Sequence, residues 1–295
     1  MIECFSINLD WNIPAFTMYH VMHFSFYFFS FILHTLYFSL KSDISTSGSQ
    51  TLCRLNETVE TVGSGSSLNT ETSTYSFNRS GQLAASTSTS QVGSSAPSYY
   101  LSTVEYNTSG KISKISAVGS NTFNTYEYNG NMISKLLAFT DGTLSGFTVY
   151  TSEGNVYSSK RYTAQNLLQF EANYTLSGSN FIGYSYTNYN LNGTIKNSGI
   201  VTYSNFDDKL SPAFILYQNI PGLDIIYGRS KNNPKLSTKT TSNYLNGILT
   251  STSKSTITFA YSYNSFGVVT QTIETTLNDT SSSKRIFNYT YSNCN

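Results

Sequence analysis

Charged residues are scarce in this sequence: only 11% of its 295 residues are Asp, Glu, Lys or Arg, against about 25% in an average soluble domain. All 17 Lys and Arg lie at or beyond Lys41, against 14 acids once Glu3 and Asp10 are set aside. They stand singly or in pairs such as Lys160-Arg161 and Lys284-Arg285. A nucleic-acid partner needs a basic stripe that neutralises several phosphates together, and none is present. Histidine is scarcer still. His20, His23 and His34 all fall in or beside one apolar N-terminal run, so the rest of the chain lacks the imidazole of a Ser-His-Asp triad, a Cys-His pair or a His-bearing zinc site. The expectation is a protein that is not an enzyme and carries no cofactor or metal.

Cysteine and proline are also few. Cys4, Cys53 and Cys294 form no CxxC and no regular framework. Two readings stand for the last two: a disulfide tying residue 53 to the penultimate residue in an oxidising compartment, or two unrelated thiols. Three of the five prolines, Pro212, Pro221 and Pro234, crowd into one segment. Of the acids, Asp207-Asp208 is the only adjacent pair. Neighbours on a strand point to opposite faces, so the pair shares no site unless the chain turns there. The simplest role is a turn cap with Lys209 pairing locally. Glu105, Glu127 and Asp141 read as solvated carboxylates.

What the chain has in quantity is aromatic and hydroxyl side chains, with 24 Tyr and 19 Phe. A neutral, ring-rich surface hydrated through Ser, Thr and Asn suits an exported β protein. Residues 1–40 include the uncharged run Val21–Leu40, which ends at Lys41. That length serves as an export signal's apolar region or as a membrane anchor. The first 17 to 21 residues precede Met18 and Met22, either of which could start the chain. Residues 41–72, rich in Ser, Thr and Gly without an apolar period, read as a flexible tether. Gln50-Thr51-Leu52 before Cys53 is not a lipid-attachment motif.

From 73 to 295 one unit recurs: alternating rings, a polar break, glycine, any residue, an aliphatic. Tyr75 to Leu83, Val104 to Ile112 and Tyr126 to Met132 carry it closely; Val149 to Val156, Tyr186 to Ile195 and Phe259 to Val269 more loosely. Period-two alternation around an Asn/Gly break is a hairpin pattern. The fold class expected is all-β: a large antiparallel meander of repeated hairpins, strongly curved or half-barrel. An irregular insert near 206–228 carries a short helix from Pro212 to Tyr217, with Ser211 as N-cap and Pro212 at the first helical position. Proline removes a ladder donor, so this stretch is not expected to be central sheet throughout.

The Tyr-x(n)-Gly-x-aliphatic units resemble YD or RHS-type repeats. Together with Ser109-Gly110-Lys111-Ile112, Tyr203 to Pro212 and Ser230 to Pro234, residues 73–291 are similar to exported β-rich lipoproteins of Bacteroidota, a family of unknown function. The resemblance implies export to the cell envelope and a large antiparallel sheet, and carries no catalytic residues with it. The expected function is a noncatalytic binding module at the cell surface, its ligand a glycan, a surface protein or a lipid-like molecule. The ligand-binding candidates are Tyr203, Phe206, Asp207, Asp208, Phe214 and Tyr217. The alternative is a carrier holding a lipid-like ligand in a curved sheet under the 206–228 insert. Membrane association would run through the N-terminal segment.

Overall fold

The structure is a computed structural model that describes residues 53–63, 68–217, 230–278 and 281–294. The N-terminal run and the rest of the insert lie outside the described residues. Sixteen antiparallel strands follow one another: β1 (Arg54–Val62), β2 (Asn69–Phe77), β3 (Leu83–Val92), β4 (Ser98–Tyr106), β5 (Ile112–Ala117), β6 (Phe123–Asn129), β7 (Met132–Thr140) and β8 (Thr143–Glu153). The second half runs through β9 (Val156–Thr163), β10 (Leu168–Ser177), β11 (Asn180–Tyr189), β12 (Ile195–Leu210), β13 (Asn232–Leu245), β14 (Ile248–Tyr263), β15 (Val269–Asn278) and β16 (Ser282–Ser292). Each strand pairs with its sequence neighbours, and β1 pairs with β16. The expected meander therefore closes completely, leaving no sheet edge.

Closure corrects two expectations. The stretch read as a tether supplies β1 and the start of β2. It hid as polar sequence because β1 turns Thr58 and Glu60 inward rather than an apolar stripe. The proline-bearing segment is also more regular than expected. β12 continues through residues 206–210, and Pro234 sits within β13 opposite Phe206. The ladder shifts register beside that pair, with Asn205 at φ 56°, and an irregularity of this kind tolerates a residue without an N–H.

The recurring unit forms its hairpins through one turn chemistry. In Asn78–Gln82, Asn107–Lys111 and Asn264–Val268, the glycine N–H donates to the asparagine carbonyl at 2.9, 2.9 and 3.0 Å. The asparagine Oδ1 then accepts from the residue after glycine at 2.9, 3.0 and 3.2 Å. Gly81, Gly110 and Gly267 hold φ of 81°, 75° and 75°, a left-handed conformation that glycine adopts at no steric cost. Neighbouring turns are stitched as well: Gln82 Nε2 donates to the Gly110 carbonyl at 3.1 Å and Lys111 Nζ to the Gly130 carbonyl at 2.6 Å.

In such a meander the even-to-odd connections share one end with both termini, called here the terminal end. The odd-to-even connections form the opposite, far rim. The terminal end is apolar inside, where Leu55, Leu83, Ile112, Ile133 and Val269 are buried. α1 (Pro212–Tyr217) follows β12 there and buries Ile215, Leu216 and Tyr217. Its N-cap is the one expected: the Phe214 N–H donates to Ser211 Oγ at 3.1 Å. Strands β13 to β16 separate β12 from β1 in the sheet, yet α1 packs on β1. The helix therefore lies across the terminal end. A disulfide joins Cys53 to Cys294 beside it, which decides between the two readings of those cysteines.

Candidate functional site

Strand alternation gives the barrel two chemically different faces. Buried positions mark the inward face: Ser73, Ser88 and Ser102 on β2 to β4, Tyr126 on β6, Tyr150 on β8, Ala172 and Tyr174 on β10, Val201 on β12. Sixteen strands leave an aqueous channel when the lining side chains are small. Here Tyr126, Tyr150 and Tyr174 are buried by protein atoms alone, so rings fill the lumen at their level. Beside them Tyr174, Phe181, Tyr184, Tyr186 and Tyr203 form a continuous chain of ring contacts with centroids 5.4–5.9 Å apart. Towards the far rim the lumen opens, and the inward-facing Lys239, lying over the Tyr186 ring at 5.8 Å, is exposed.

Charge also faces inward, where four strands meet at the closure. Glu60 on β1 stands opposite Glu71 on β2, and Glu274 on β15 opposite Arg285 on β16. Arg285 Nη1 is 3.5 Å from Glu60 Oε1, and Ser88 Oγ donates to Glu71 at 2.9 Å. Burial pushes the Glu274 carboxyl up to about 7 against the opposing pull of Arg285, with Glu60 adding to the rise. Burial likewise raises Glu60, again opposed by Arg285 and reinforced by Glu71. Burial, and then the Glu274 charge, lift the Tyr203 phenol to about 12. Sequence reasoning missed these groups because Glu60 and Glu71 fall in the stretch read as a tether, and Glu274 is a single acid on a strand, for which a solvated carboxylate is the default reading. Strand parity gave no usable signal: in β15 Ile273 and Leu277 alternate with Glu274, yet it is the Thr272–Glu274 face that turns inward.

The outward face is hydroxyl-rich. Thr72 and Thr74 on β2 face Thr89 and Thr87 on β3, and Thr238 on β13 lies between Thr202 and Thr256. The Thr202 and Thr238 hydroxyls are 2.7 Å apart. Charges share this face, with Lys114 3.9 Å from Glu105 and Lys160 3.6 Å from Glu171. Outward rings do occur on β6 to β9, as the stacked pairs Phe123–Phe139 and Phe147–Tyr162. Lys114 and Lys135 lie over the Phe123 and Phe147 rings at 4.5 and 5.0 Å, so ammonium groups stand on these rings.

The six candidate residues stand in different settings. Tyr203 belongs to the interior ring chain, and Phe206 pairs with Pro234. Asp207 is a structural clamp: it accepts from the Asn233 N–H at 3.0 Å, the Asn233 amide at 3.1 and 3.2 Å, the Lys209 N–H at 3.0 Å, and the Tyr263 hydroxyl. Asp208 points to solvent, its side chain 85% exposed and 3.5 Å from Lys209. Phe214 is half-buried on α1 and Tyr217 is buried there. Among the described residues, no group of three or more His, Cys, Asp or Glu has metal-binding geometry.

A closed sixteen-stranded antiparallel barrel, ring-filled within and hydroxyl-clad without, is the class these observations define. No family model and no curated protein matches the chain. Among solved structures it is similar to a porin-like protein from Bacteroides uniformis ATCC 8492, with 15% identity and a TM-score of 0.55 over 80% of this chain and 97% of that one. A porin-like protein from Bacteroides vulgatus ATCC 8482 matches at 13% identity and a TM-score of 0.49 over 80% and 98%. At these identities the first likeness shows the fold alone.

Proposed function

We propose that this chain is an exported, noncatalytic binding module of the cell envelope whose barrel wall stands in water. The observation that carries the reading is the outward face. A membrane-spanning barrel presents an apolar band about 25 Å tall, and a lysine at the bilayer midplane costs about 2–4 kcal/mol. Here threonines and charges such as Lys114, Lys160 and Lys254 occupy outward strand positions. The Cys53–Cys294 bridge supports export to an oxidising compartment. So does the resemblance to exported Bacteroidota proteins, and the Bacteroides porin-like fold agrees with a cell-envelope setting. Cys53 is committed to the disulfide, so its sulfur is not a lipid anchor. Tyrosines concentrate on the inward face, which favours a ligand held within the barrel over one spread on its outer wall.

The test uses single cysteines at the outward positions Thr240 and Lys254 of the full chain, probed with a membrane-impermeant maleimide in opened membranes from expressing cells. Both are expected to react as fast as a cysteine at the exposed Asp208. Strong protection of the two wall positions, reversed by detergent, would place the wall in lipid and overturn the reading.

A further inference from the structure

The apolar side chains left exposed are not scattered. Among the described residues, every exposed large apolar side chain except Val156, Ile200, Tyr263 and Phe266 lies at the far rim. The hairpin β1–β2 carries Leu68 there, β5–β6 Val118, β9–β10 Leu167, β11–β12 Leu191, β13–β14 Ile248 and β15–β16 Leu277. Leu191 is 67% exposed and Ile248 71%. Ile248 and the 66%-exposed Leu245 flank Asn246-Gly247, both at positive φ, a tight turn that holds two aliphatics at its very tip. The terminal-end turns are instead built from Asn, Ser and Gly, with Phe266 the apolar exception. Charge is distributed just as unevenly. Of the described residues that connect strands at the far rim, only Asp141 is charged.

We propose that the far rim is a membrane-contact surface, on which the barrel stands by inserting its described apolar residues, Leu191, Leu245 and Ile248 foremost, into a lipid surface while its wall remains in water. The proposal rests on the water-facing wall argued above. Three observations select lipid over a protein partner. The aliphatics are spread over hairpins around a ring, clustered only on β13–β14, so a rigid partner would need several separate pockets, whereas a fluid bilayer needs none. The described residues that connect strands at the rim carry one charge, Asp141, with Lys196 and Lys284 set back inside β12 and β16; this suits a neutral or zwitterionic surface and leaves little to orient a protein partner. Both ends of the described chain emerge at the terminal end, so neither obstructs the rim.

Binding should then be driven by apolar insertion and be indifferent to surface charge. Full-length protein carrying an environment-sensitive fluorophore on Leu191→Cys or Ile248→Cys is mixed with phosphatidylcholine vesicles, with and without added phosphatidylglycerol. The rim labels are expected to brighten and shift to the blue equally with both compositions and at both low and high salt. Labels on Phe266→Cys at the terminal end and Thr240→Cys on the wall are expected to stay unchanged. Replacing Leu245, Ile248 and Leu249 together by Asn should weaken vesicle binding reported by the Leu191 label by about tenfold or more, since each lost aliphatic removes apolar surface that insertion would bury. Silent rim labels would overturn the proposal and leave the water-facing wall intact; a Thr240 label that reports hydrocarbon would overturn the wall reading itself. A rim response that depends on protein concentration without vesicles would assign the rim to a second copy and also overturn the lipid proposal.

Discussion

Glu274 shows how the barrel's interior changes the chemistry of a single side chain. Its carboxyl rises to about 7 because burial on β15 disfavours the charged form more than Arg285 favours it, with Glu60 adding to the rise. The folded protein therefore holds a proton that the unfolded chain releases in the ordinary carboxylate range. Stability from this group is fully present below about pH 4 and is lost as pH rises through 7, a total on the order of 3 kcal/mol. Urea unfolding of the wild type and Glu274→Gln at pH 5 and pH 8 reads it directly: the variant should lose most of the alkaline decline, with Glu60 keeping the remainder, and be the more stable of the two at pH 8. An identical pH dependence in both would show that Glu274 titrates normally. None of this was legible at residue 274 itself, because a glutamate between Ile273 and Thr275 reads as the solvent side of its strand, and only the closed sheet shows that it turns inward.

Hairpins are the scale at which sequence and structure agree best, because the turn determinants are local. Asn107 and Gly110 close their turn through hydrogen bonds within five residues, and nothing distant is needed to recognise them. Gly110 has φ 75°, and a Cβ there would meet only Gln82 Nε2, at 3.7 Å. The cost of Gly110→Ala is thus backbone strain alone, about 1–2 kcal/mol, and Gly110→Asn should recover much of it. Thermal or urea unfolding of the two variants separates strain from crowding, since crowding would make Asn the worse replacement. The Ser211 cap of α1 was equally readable. What α1 crosses was not, since that depends on β1, more than 150 residues earlier in the chain.

At the scale of the molecule, closure depends on pairing the first described strand with the last. Cys53 and Cys294 lock that seam across a sequence separation of 241. Replacing both by serine should lower stability by about 2–5 kcal/mol and raise amide exchange first in β1 and β16, with the far hairpins protected longest. Uniform exchange around the barrel would mean that the seam is no weaker than the rest.

The sequence by itself determined the all-β class, the hairpin unit, the helix cap and the absence of histidine chemistry beyond residue 34, because each is written in residues close together along the chain. The tertiary structure alone decided that the meander closes, that the polar stretch from Arg54 to Val62 is a strand of the wall, that Glu60, Glu71, Glu274 and Arg285 meet, and that most of the exposed aliphatics share one rim. The physical reason is that a strand's pattern says which residues share a face but not what that face meets. Closing the sheet turned one face into an interior and gathered alternate hairpins at one end.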